Sequence, residues 1–174
     1  MLHGGVVAAM GTFFVFSDYM KPAVRIAALM QVPVKFIWTH DAFRVGEDGP
    51  THEPVEQEAQ IRLMEKLKNH AGKDSVRVFR PADADETTVC WKLAMENVET
   101  PTALIFSRQG IAKLPEGTDY EQAAKGAYIV AGSDENPDVI LVASGSEVST
   151  LEAGCEALRA DGIKVRVVSA PSEG

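Results

Sequence analysis

Short apolar runs alternate along the chain with longer segments in which apolar residues recur at helical spacing. Residues 13–16, 34–38, 77–79 and 102–106 predict strands, because a continuous apolar run suits a strand covered on both faces. The segments between these runs predict amphipathic helices. This alternation indicates an α/β fold with a doubly wound, mostly parallel sheet.

Helix boundaries are predicted from capping residues and from the spacing of apolar positions. Asp18 can cap the first helix, and Pro54 marks the start of the second. Either Asp83 or Asp85 can cap the third helix. Apolar residues four apart predict the buried face of the second helix: Val55, Ala59, Leu63 and Leu67.

A polar stretch with proline and glycine divides the chain into two predicted domains. We predict a first domain over residues 1–118, a linker over 119–126 and a second domain over 127–174. The second domain should contain strands at 128–131, 139–143 and 164–168, and a helix that begins at a capping box formed by Ser144 and Glu147. Because one βαβ unit buries too little surface to fold alone, we expect this sequence to be a fragment of a longer chain.

Composition and charge bear on which classes of function are expected. The 174 residues carry a net charge of −8, which gives no general attraction to nucleic acid or membrane surfaces. No apolar run approaches the roughly 20 residues of a membrane span, and the first residues lack the features of a secretory signal. Cys90 and Cys155 predict buried thiols rather than a disulfide. We therefore expect a cytoplasmic protein.

Residues 39–54, with the sequence THDAFRVGEDGPTHEP, combine histidines, carboxylates and glycines within a short stretch. They follow a predicted buried strand, and ligands of open α/β sheets bind beyond the carboxyl ends of the strands. Histidine, here His40 and His52, exchanges protons near neutral pH. Gly46 and Gly49 let the backbone approach a ligand closely. We expect function to reside in this loop.

Each of these residues also has a purely structural interpretation. His40 and His52 could bond to backbone groups, or could bind a metal together with Asp48, although no further ligand stands at a familiar spacing. An Asp-Gly pair such as Asp48-Gly49 is most often a turn. The aromatic residues between 13 and 19 could belong to the core, and a strand-end arginine such as Arg108 is usually solvated. The residues alone leave these alternatives open.

Five motifs in order along the chain resemble those of transketolases, the thiamine-diphosphate enzymes that move two-carbon ketol units between sugar phosphates. They are GTFFVFSDY at 11–19, THDAFRVGEDGPTHEP at 39–54, FRPAD at 79–83, SRQ at 107–109 and DVILVASGSEV at 138–148. The resemblance covers nearly the whole chain. It implies that the first domain is of the pyrimidine-binding type and that the second is the beginning of the family's C-terminal domain.

The resemblance implies thiamine diphosphate as the cofactor. Phe16 and Tyr19 would contact its pyrimidine ring, with Phe13 behind them. The Mg or Ca ion that holds the diphosphate belongs to another domain, so no metal-binding residue is expected in this chain. The glutamate that activates the ring and the family's GDG-to-asparagine motif also lie outside it, and we expect the isolated chain to be inactive.

The resemblance also implies a set of substrate-binding residues. His52 would lie near the reacting carbonyl and assist proton transfer or oxyanion stabilisation. His40 would act with it and reach toward the phosphate end of the acceptor. Asp48 would accept a hydrogen bond from a sugar hydroxyl, and Arg108 would bind the phosphate.

The implied native function is reversible transfer of a two-carbon ketol unit from a ketose phosphate to an aldose phosphate in the pentose phosphate pathway. A homodimer is implied, because the family's site lies between the pyrimidine domain of one subunit and the diphosphate-binding domain of the other. Two alternatives stay open. One is another thiamine-diphosphate synthase, of the dihydroxyacetone or deoxyxylulose-phosphate type, and the other is a non-catalytic split subunit that completes a partner's site.

Overall fold

A computed structural model describes residues 1–41, 43–132 and 135–174, and the chain forms two compact units. The first unit comprises residues 1–79 and 91–110, together with Gly174, and the second comprises residues 80–90 and 111–173. In the first unit the regular elements are β1 (Ala9–Phe13), α1 (Ser17–Leu29), β2 (Lys35–Thr39), α2 (Gln57–Lys66), β3 (Arg77–Phe79) and β4 (Thr102–Ile105). Helix α3 (Ala84–Glu96) has residues in both units.

The sheet of the first unit has the strand order β1-β2-β4-β3, and every neighbouring pair is parallel. The predicted α/β fold with a parallel sheet is therefore confirmed. The register pairs Phe13 with Thr39 and Trp38 with Ile105, so β1, β2 and β4 end at the same edge. The segments that follow these three strands consequently meet at one edge of the sheet.

Large aromatic side chains fill the core of the first unit. The Trp38 ring lies 5.7 Å from that of Phe14 and 5.8 Å from that of Phe36, and its indole N–H donates to the sulfur of Met20. The fully buried neighbours come from α2, from β3 and the residue before it, and from β4: Ile61, Val76, Val78, Ala103 and Ile105. Burying rings of this size supplies much of the apolar stabilisation of the unit.

The aromatic run at residues 13–16 does not form the predicted strand. Strand β1 ends at Phe13, and Phe14–Phe16 form a 3-10 turn. A Cβ at Gly11 would lie 3.3 Å from the carbonyl oxygen of Ile37, so glycine permits the close strand pairing that precedes the turn. The turn buries Phe14 and leaves Phe13 and Phe16 half-buried at the strand ends.

The predicted buried face of α2 is also wrong. Val55, Leu63 and Leu67 are exposed, as is Ala59, whereas the helix buries Gln57, Ile61, Arg62 and Glu65. The reason lies in β3, the edge strand of the sheet. Arg62 donates to the carbonyl oxygen of Val78, and Glu65 accepts from the Val78 N–H at 2.9 Å. Polar side chains of α2 thus satisfy an unpaired strand edge, although burial raises the pKa of Glu65.

The second unit contains β5 (Tyr128–Ala131), β6 (Val139–Ala143), α4 (Glu147–Ala160) and β7 (Val165–Ser169). Its sheet has the order β5-β7-β6, in which β6 and β7 are parallel and β5 is antiparallel to β7. The predicted βαβ unit is present as β6-α4-β7. Within the segment predicted as a linker, Tyr120–Lys125 form a 3-10 helix and Ala123 is buried. Cys90 and Cys155 are buried and free, as predicted.

The predicted capping box at the start of α4 does not form. The helix begins at Glu147, so that residue occupies the first helical position rather than the third, and the N-cap residue Ser146 makes no side-chain cap. Arg80 instead contacts the start of the helix: it pairs with Glu147 and donates to the carbonyl oxygen and the hydroxyl of Ser144, both at 3.1 Å. A distant residue thus holds the residues at the start of the helix, but it does not accept from the helix N–H groups. Among the described residues, no helix is long and apolar enough to span a bilayer.

Candidate active site

Side chains from three segments assemble where β1, β2 and β4 end. Phe13 is the last residue of β1, His40 directly follows β2, and Arg108 lies three residues beyond β4. The loop after β2 returns over this edge as the 3-10 segment Phe43–Asp48 and continues to His52. The parallel register therefore brings residues nearly 100 positions apart in sequence to one place.

Three aromatic rings and an imidazole form a connected cluster at this edge. The rings of Phe13 and His40 stack with centroids 3.7 Å apart, and Phe13 lies 6.2 Å from Phe16. The Phe16 ring lies 5.9 Å from that of Tyr19, which is 82% exposed. A tyrosine exposed to this degree next to a half-buried phenylalanine offers a flat apolar surface on which a ring can stack.

His52 closes the cluster from the loop side. Its ring lies edge-on to Phe16 at 5.3 Å and to Phe13 at 5.9 Å. The hydroxyl of Thr51 lies 2.8 Å from Nδ1, and the His52 backbone N–H donates to the carbonyl oxygen of Gly49. In the described part of the chain Nε2 has no hydrogen-bond partner, so this nitrogen is the one left to exchange a proton with a ligand.

His40 is held in an unusual backbone conformation. Its φ is +61°, in the left-handed region that non-glycine residues rarely adopt and that costs roughly 1–3 kcal/mol. The stack on Phe13 and a 2.9 Å contact between Nδ1 and the Thr39 hydroxyl hold the ring in place. Nε2 then lies 4.0 Å from Oδ2 of Asp48. Strain of this kind at a strand end is typical of residues positioned for function.

One carboxylate oxygen of Asp48 accepts no hydrogen bond from the described residues. Its Oδ2 is buried and has no hydrogen-bond partner among the described residues, although Nε of Arg108 lies 3.7 Å away. Arg108 instead donates through Nη2 to Oε1 of Glu47 at 2.7 Å. Gly46, at a φ of +83°, makes room for this arginine, because a Cβ there would lie 3.1 Å from Nη1. The result is a guanidinium and a carboxylate side by side, and the carboxylate still has capacity to accept.

The structure thus brings together all seven predicted site residues within the first unit. They are Phe13, Phe16, Tyr19, His40, Asp48, His52 and Arg108. Exposed aromatic surface suits a ring, the Asp48 oxygen suits a hydroxyl donor, and the guanidinium suits an anion. No group of three metal-ligating side chains occurs among the described residues.

Sequence reasoning missed the residue that joins the aromatic segment to the histidine loop. Gln57 is buried, donates from Nε2 to Oδ2 of Asp18 at 3.1 Å, and accepts from the Val55 N–H at 2.8 Å. Asp18, predicted as a helix cap, lies in the first turn of α1 and also pairs with Lys21. The Lys21 hydrogen bond holds the pKa of Asp18 below its usual value. Gln57 stands at a buried helix position, where only the three-dimensional contact reveals its role.

Comparison with known proteins also divides the chain in two, but assigns residues 80–90, which belong to the second compact unit, to the first domain. Residues 1–113 match the family model for the transketolase pyrimidine binding domain, and residues 126–174 match that for the transketolase-like C-terminal domain. The transketolase of Halalkalibacterium halodurans is 50% identical over 173 residues, which are 98% of this chain and 25% of that protein.

Solved structures are also similar. The transketolase of Pichia stipitis in complex with sedoheptulose 7-phosphate has 40% identity and a TM-score of 0.83, over 95% of this chain and 23% of that one. A split-gene transketolase, described as an inactive β4 tetramer, has 25% identity and a TM-score of 0.69, over 97% of this chain and 50% of that one. The chain spans about a quarter of the length of the curated relatives it matches. It belongs to the transketolase family.

Proposed function

We propose that this chain supplies the pyrimidine side of a thiamine-diphosphate site and most of the sugar-phosphate contacts of a transketolase. The reaction is reversible transfer of a two-carbon ketol unit from a ketose phosphate to an aldose phosphate in the pentose phosphate pathway. The observation that carries this proposal is the edge-on approach of His52 to Phe16 at 5.3 Å, because it joins a histidine to the exposed aromatic surface. The complex of the Pichia stipitis transketolase with sedoheptulose 7-phosphate supports the substrate class.

The aromatic cluster fits the pyrimidine ring of the cofactor. Tyr19 is 82% exposed and Phe16 lies beside it, so a planar ring can stack there, while Phe13 supports Phe16 from behind. When bound, thiamine diphosphate supplies the electron sink that ketol transfer requires. We propose that a separate diphosphate-binding domain, contributed by the other subunit of a homodimer, binds the diphosphate and its Mg or Ca ion.

The polar residues contact different parts of the sugar phosphate. His52 is the proton donor and acceptor at the substrate oxygen, through its unpartnered Nε2. Asp48 accepts from a sugar hydroxyl through Oδ2, which already lies buried without a donor. Arg108 binds the phosphate, with His40 beside it, once the phosphate has displaced Glu47 from Nη2. Each role follows from a hydrogen-bonding capacity that the chain itself leaves unused or weakly used.

We further propose that the pyrimidine-binding domain spans residues 1–118, the linker 119–126 and the start of the C-terminal domain 127–174. The two matched family models, over residues 1–113 and 126–174, support these boundaries. We place the protein in the cytoplasm, where its sugar-phosphate substrates would be found.

Reconstitution tests the proposed function. The chain is mixed with a separately made upstream part of a transketolase that carries both the diphosphate-binding domain and the ring-activating glutamate, together with thiamine diphosphate and Mg²⁺, and turnover of xylulose phosphate plus ribose phosphate is measured. We expect activity in the mixture and none from the chain alone. His52→Ala should lower kcat/KM about 10²- to 10⁴-fold, whereas Glu53→Gln in the same loop should change it little. An active mixture in which His52→Ala equals the unaltered chain would refute the assigned role.

A split subunit is the second candidate. The split-gene transketolase, half of whose chain is covered by this one, favours it. Under this proposal the chain has no activity of its own and completes the site of a separate partner. Sedimentation and turnover of the mixture test it, since a subunit that completes a partner's site should form a stable complex with that partner and restore activity, and finding neither complex nor activity would contradict it.

A further inference from the structure

A cavity lies in the first unit, at the C-terminal ends of α1 and α2. Its volume is about 230 Å³, and its apolar floor is formed by Ala28, Leu29, Met64 and Leu67. Helix α1 carries Tyr19 of the aromatic cluster and Leu29 of the cavity, so the two lie about 15 Å apart along this helix. Pockets for drug-sized ligands occupy roughly 300–1,000 Å³, and this cavity therefore suits a smaller molecule.

One lining residue has a buried donor without an acceptor. The Oδ1 atom of Asn69 accepts from the N–H groups of Ala71 at 2.9 Å and Lys73 at 3.1 Å, which fixes the orientation of the amide. Its Nδ2 is buried and has no hydrogen-bond partner among the described residues. Leaving a buried donor unpaired costs about 1–3 kcal/mol, so a ligand that brings an acceptor would be bound preferentially.

The cavity is also lined by three basic side chains, of which only Arg25 lacks a partner in the described part of the chain. Lys68 pairs with Asp74. His70 places Nε2 2.8 Å from the carbonyl oxygen of Leu29, at the end of α1. That contact offsets part of the negative charge that helix C-termini present. Arg25 is therefore left as an exposed guanidinium beside an apolar floor.

We propose that this cavity binds a small organic carboxylate with a short apolar body. The apolar part lies on Leu29, Met64 and Leu67, and the carboxylate accepts from Arg25 and from Nδ2 of Asn69. Both donors are unpaired in the described part of the chain, and a carboxylate offers two acceptor oxygens with the charge that a guanidinium prefers. A neutral molecule of the same shape would keep the apolar contact and lose the charge-assisted bonds.

Benzoate and its neutral isostere benzamide test the proposal on the 174-residue chain. Side-chain amide and guanidinium NMR resonances of Asn69 and Arg25 are followed during each titration. We expect saturable shifts with benzoate, at an affinity about ten-fold or more above that of benzamide. Equal affinity for the two compounds, or no saturable shift at Asn69, would overturn the assignment.

Matched variants locate the site. Asn69→Asp keeps the oxygen that accepts from Ala71 and Lys73 but replaces the donor with a second carboxylate oxygen, and Arg25→Gln removes the charge. Each should weaken benzoate binding by about ten-fold or more. Lys92→Gln, an exposed lysine on α3 that does not line the cavity, should leave it unchanged. If both cavity variants bind benzoate like the unaltered chain, the proposal is wrong, and a circular dichroism spectrum of each verifies that it is folded.

Discussion

Two carboxylates, one in each unit, have opposite hydrogen-bonding environments. Glu86 of the second unit is fully buried, and it accepts from the Tyr128 hydroxyl at 2.8 Å, the Ser169 hydroxyl at 2.7 Å and the Ala82 N–H at 2.5 Å. Asp48 of the first unit is only partly buried, yet its Oδ2 has no hydrogen-bond partner among the described residues.

The difference separates an acid with a structural role from one that is a candidate for ligand binding. Donors from four different segments converge on Glu86 and its neighbour Asp83, which accepts from the Leu114 N–H, the Tyr120 hydroxyl and the Glu86 N–H. Acids saturated in this way have no capacity left for a ligand, and they hold segments together. Asp48 has that capacity, next to His40 and Arg108, where a ligand would use it.

The largest expected effect concerns Glu86. Glu86→Ala leaves two hydroxyls and one N–H buried without an acceptor, so we expect the free energy of unfolding to fall by about 3–5 kcal/mol. Urea unfolding measures this loss. Glu86→Gln should lose less, because it keeps one acceptor oxygen, and the exposed Glu116→Ala should change stability by less than about 0.5 kcal/mol. A loss at Glu86 no larger than at Glu116 would remove the distinction between the two acids.

The pH dependence of Glu86 sharpens the same contrast. Burial raises its pKa above the value in the unfolded chain despite the three donors. Its contribution to stability is therefore full below the unfolded pKa of 4.5 and is lost as the pH rises through the folded value. The stability of the chain relative to Glu86→Gln should accordingly decrease from pH 4.5 upward. Unfolding of both proteins across this range measures the difference, and an increase with pH would contradict the assignment.

Asp48→Asn should give the reverse pattern, with little effect on stability and a large effect on the ligand. We expect unfolding to change by less than about 0.5 kcal/mol, because no hydrogen bond to Oδ2 is lost. In the reconstituted enzyme, kcat/KM for a ketose phosphate should fall about 10- to 100-fold as a charge-assisted bond to a hydroxyl disappears. Glu53→Gln serves as the loop control. An Asp48→Asn enzyme as active as this control would show that Asp48 is not a substrate contact.

Glu47→Gln should have the smallest effect. Glu47 is 79% exposed and pairs with Arg108, and exposed ion pairs contribute about 0.2–1 kcal/mol. Removing the charge should therefore tighten binding of inorganic phosphate to the chain about two- to five-fold. Titration followed by ³¹P NMR measures it, with Arg108→Ala as the variant that should bind least. Weaker binding by Glu47→Gln would mean that Glu47 assists the phosphate instead of competing with it.

Local patterns predicted which residues lie together at the candidate site better than they predicted the packing. Strand ends and ionisable residue types are properties of short segments, so the loop at 39–54 and its histidines could be found from sequence. The buried face of α2 could not, because it is set by Arg62 and Glu65 meeting the backbone of Val78 on an edge strand. The start of α4 likewise contacts Arg80, which is distant from Glu147 along the chain.

The number of hydrogen bonds that a carboxylate accepts likewise cannot be predicted from sequence. The residues that donate hydrogen bonds to Glu86 are at positions 82, 128 and 169, and no spacing rule connects them. Asp48 is recognisable from its motif, but that its oxygen lacks a donor among the described residues is a fact of three-dimensional structure. Which acids are saturated with donors and which can still accept from a ligand is therefore known only from the contacts.

Thiamine titration of the chain tests the central claim most directly, namely that the exposed aromatic surface and the histidine loop form one ligand site. The ring resonances of Phe16 and Tyr19 and the imidazole resonances of His52 are followed by NMR, with the buried Phe36–Trp38 pair as internal control. We predict that Tyr19, Phe16 and His52 shift together and saturably while the control pair does not move. Shifts confined to the control pair, or none at Tyr19 and His52, would contradict the account.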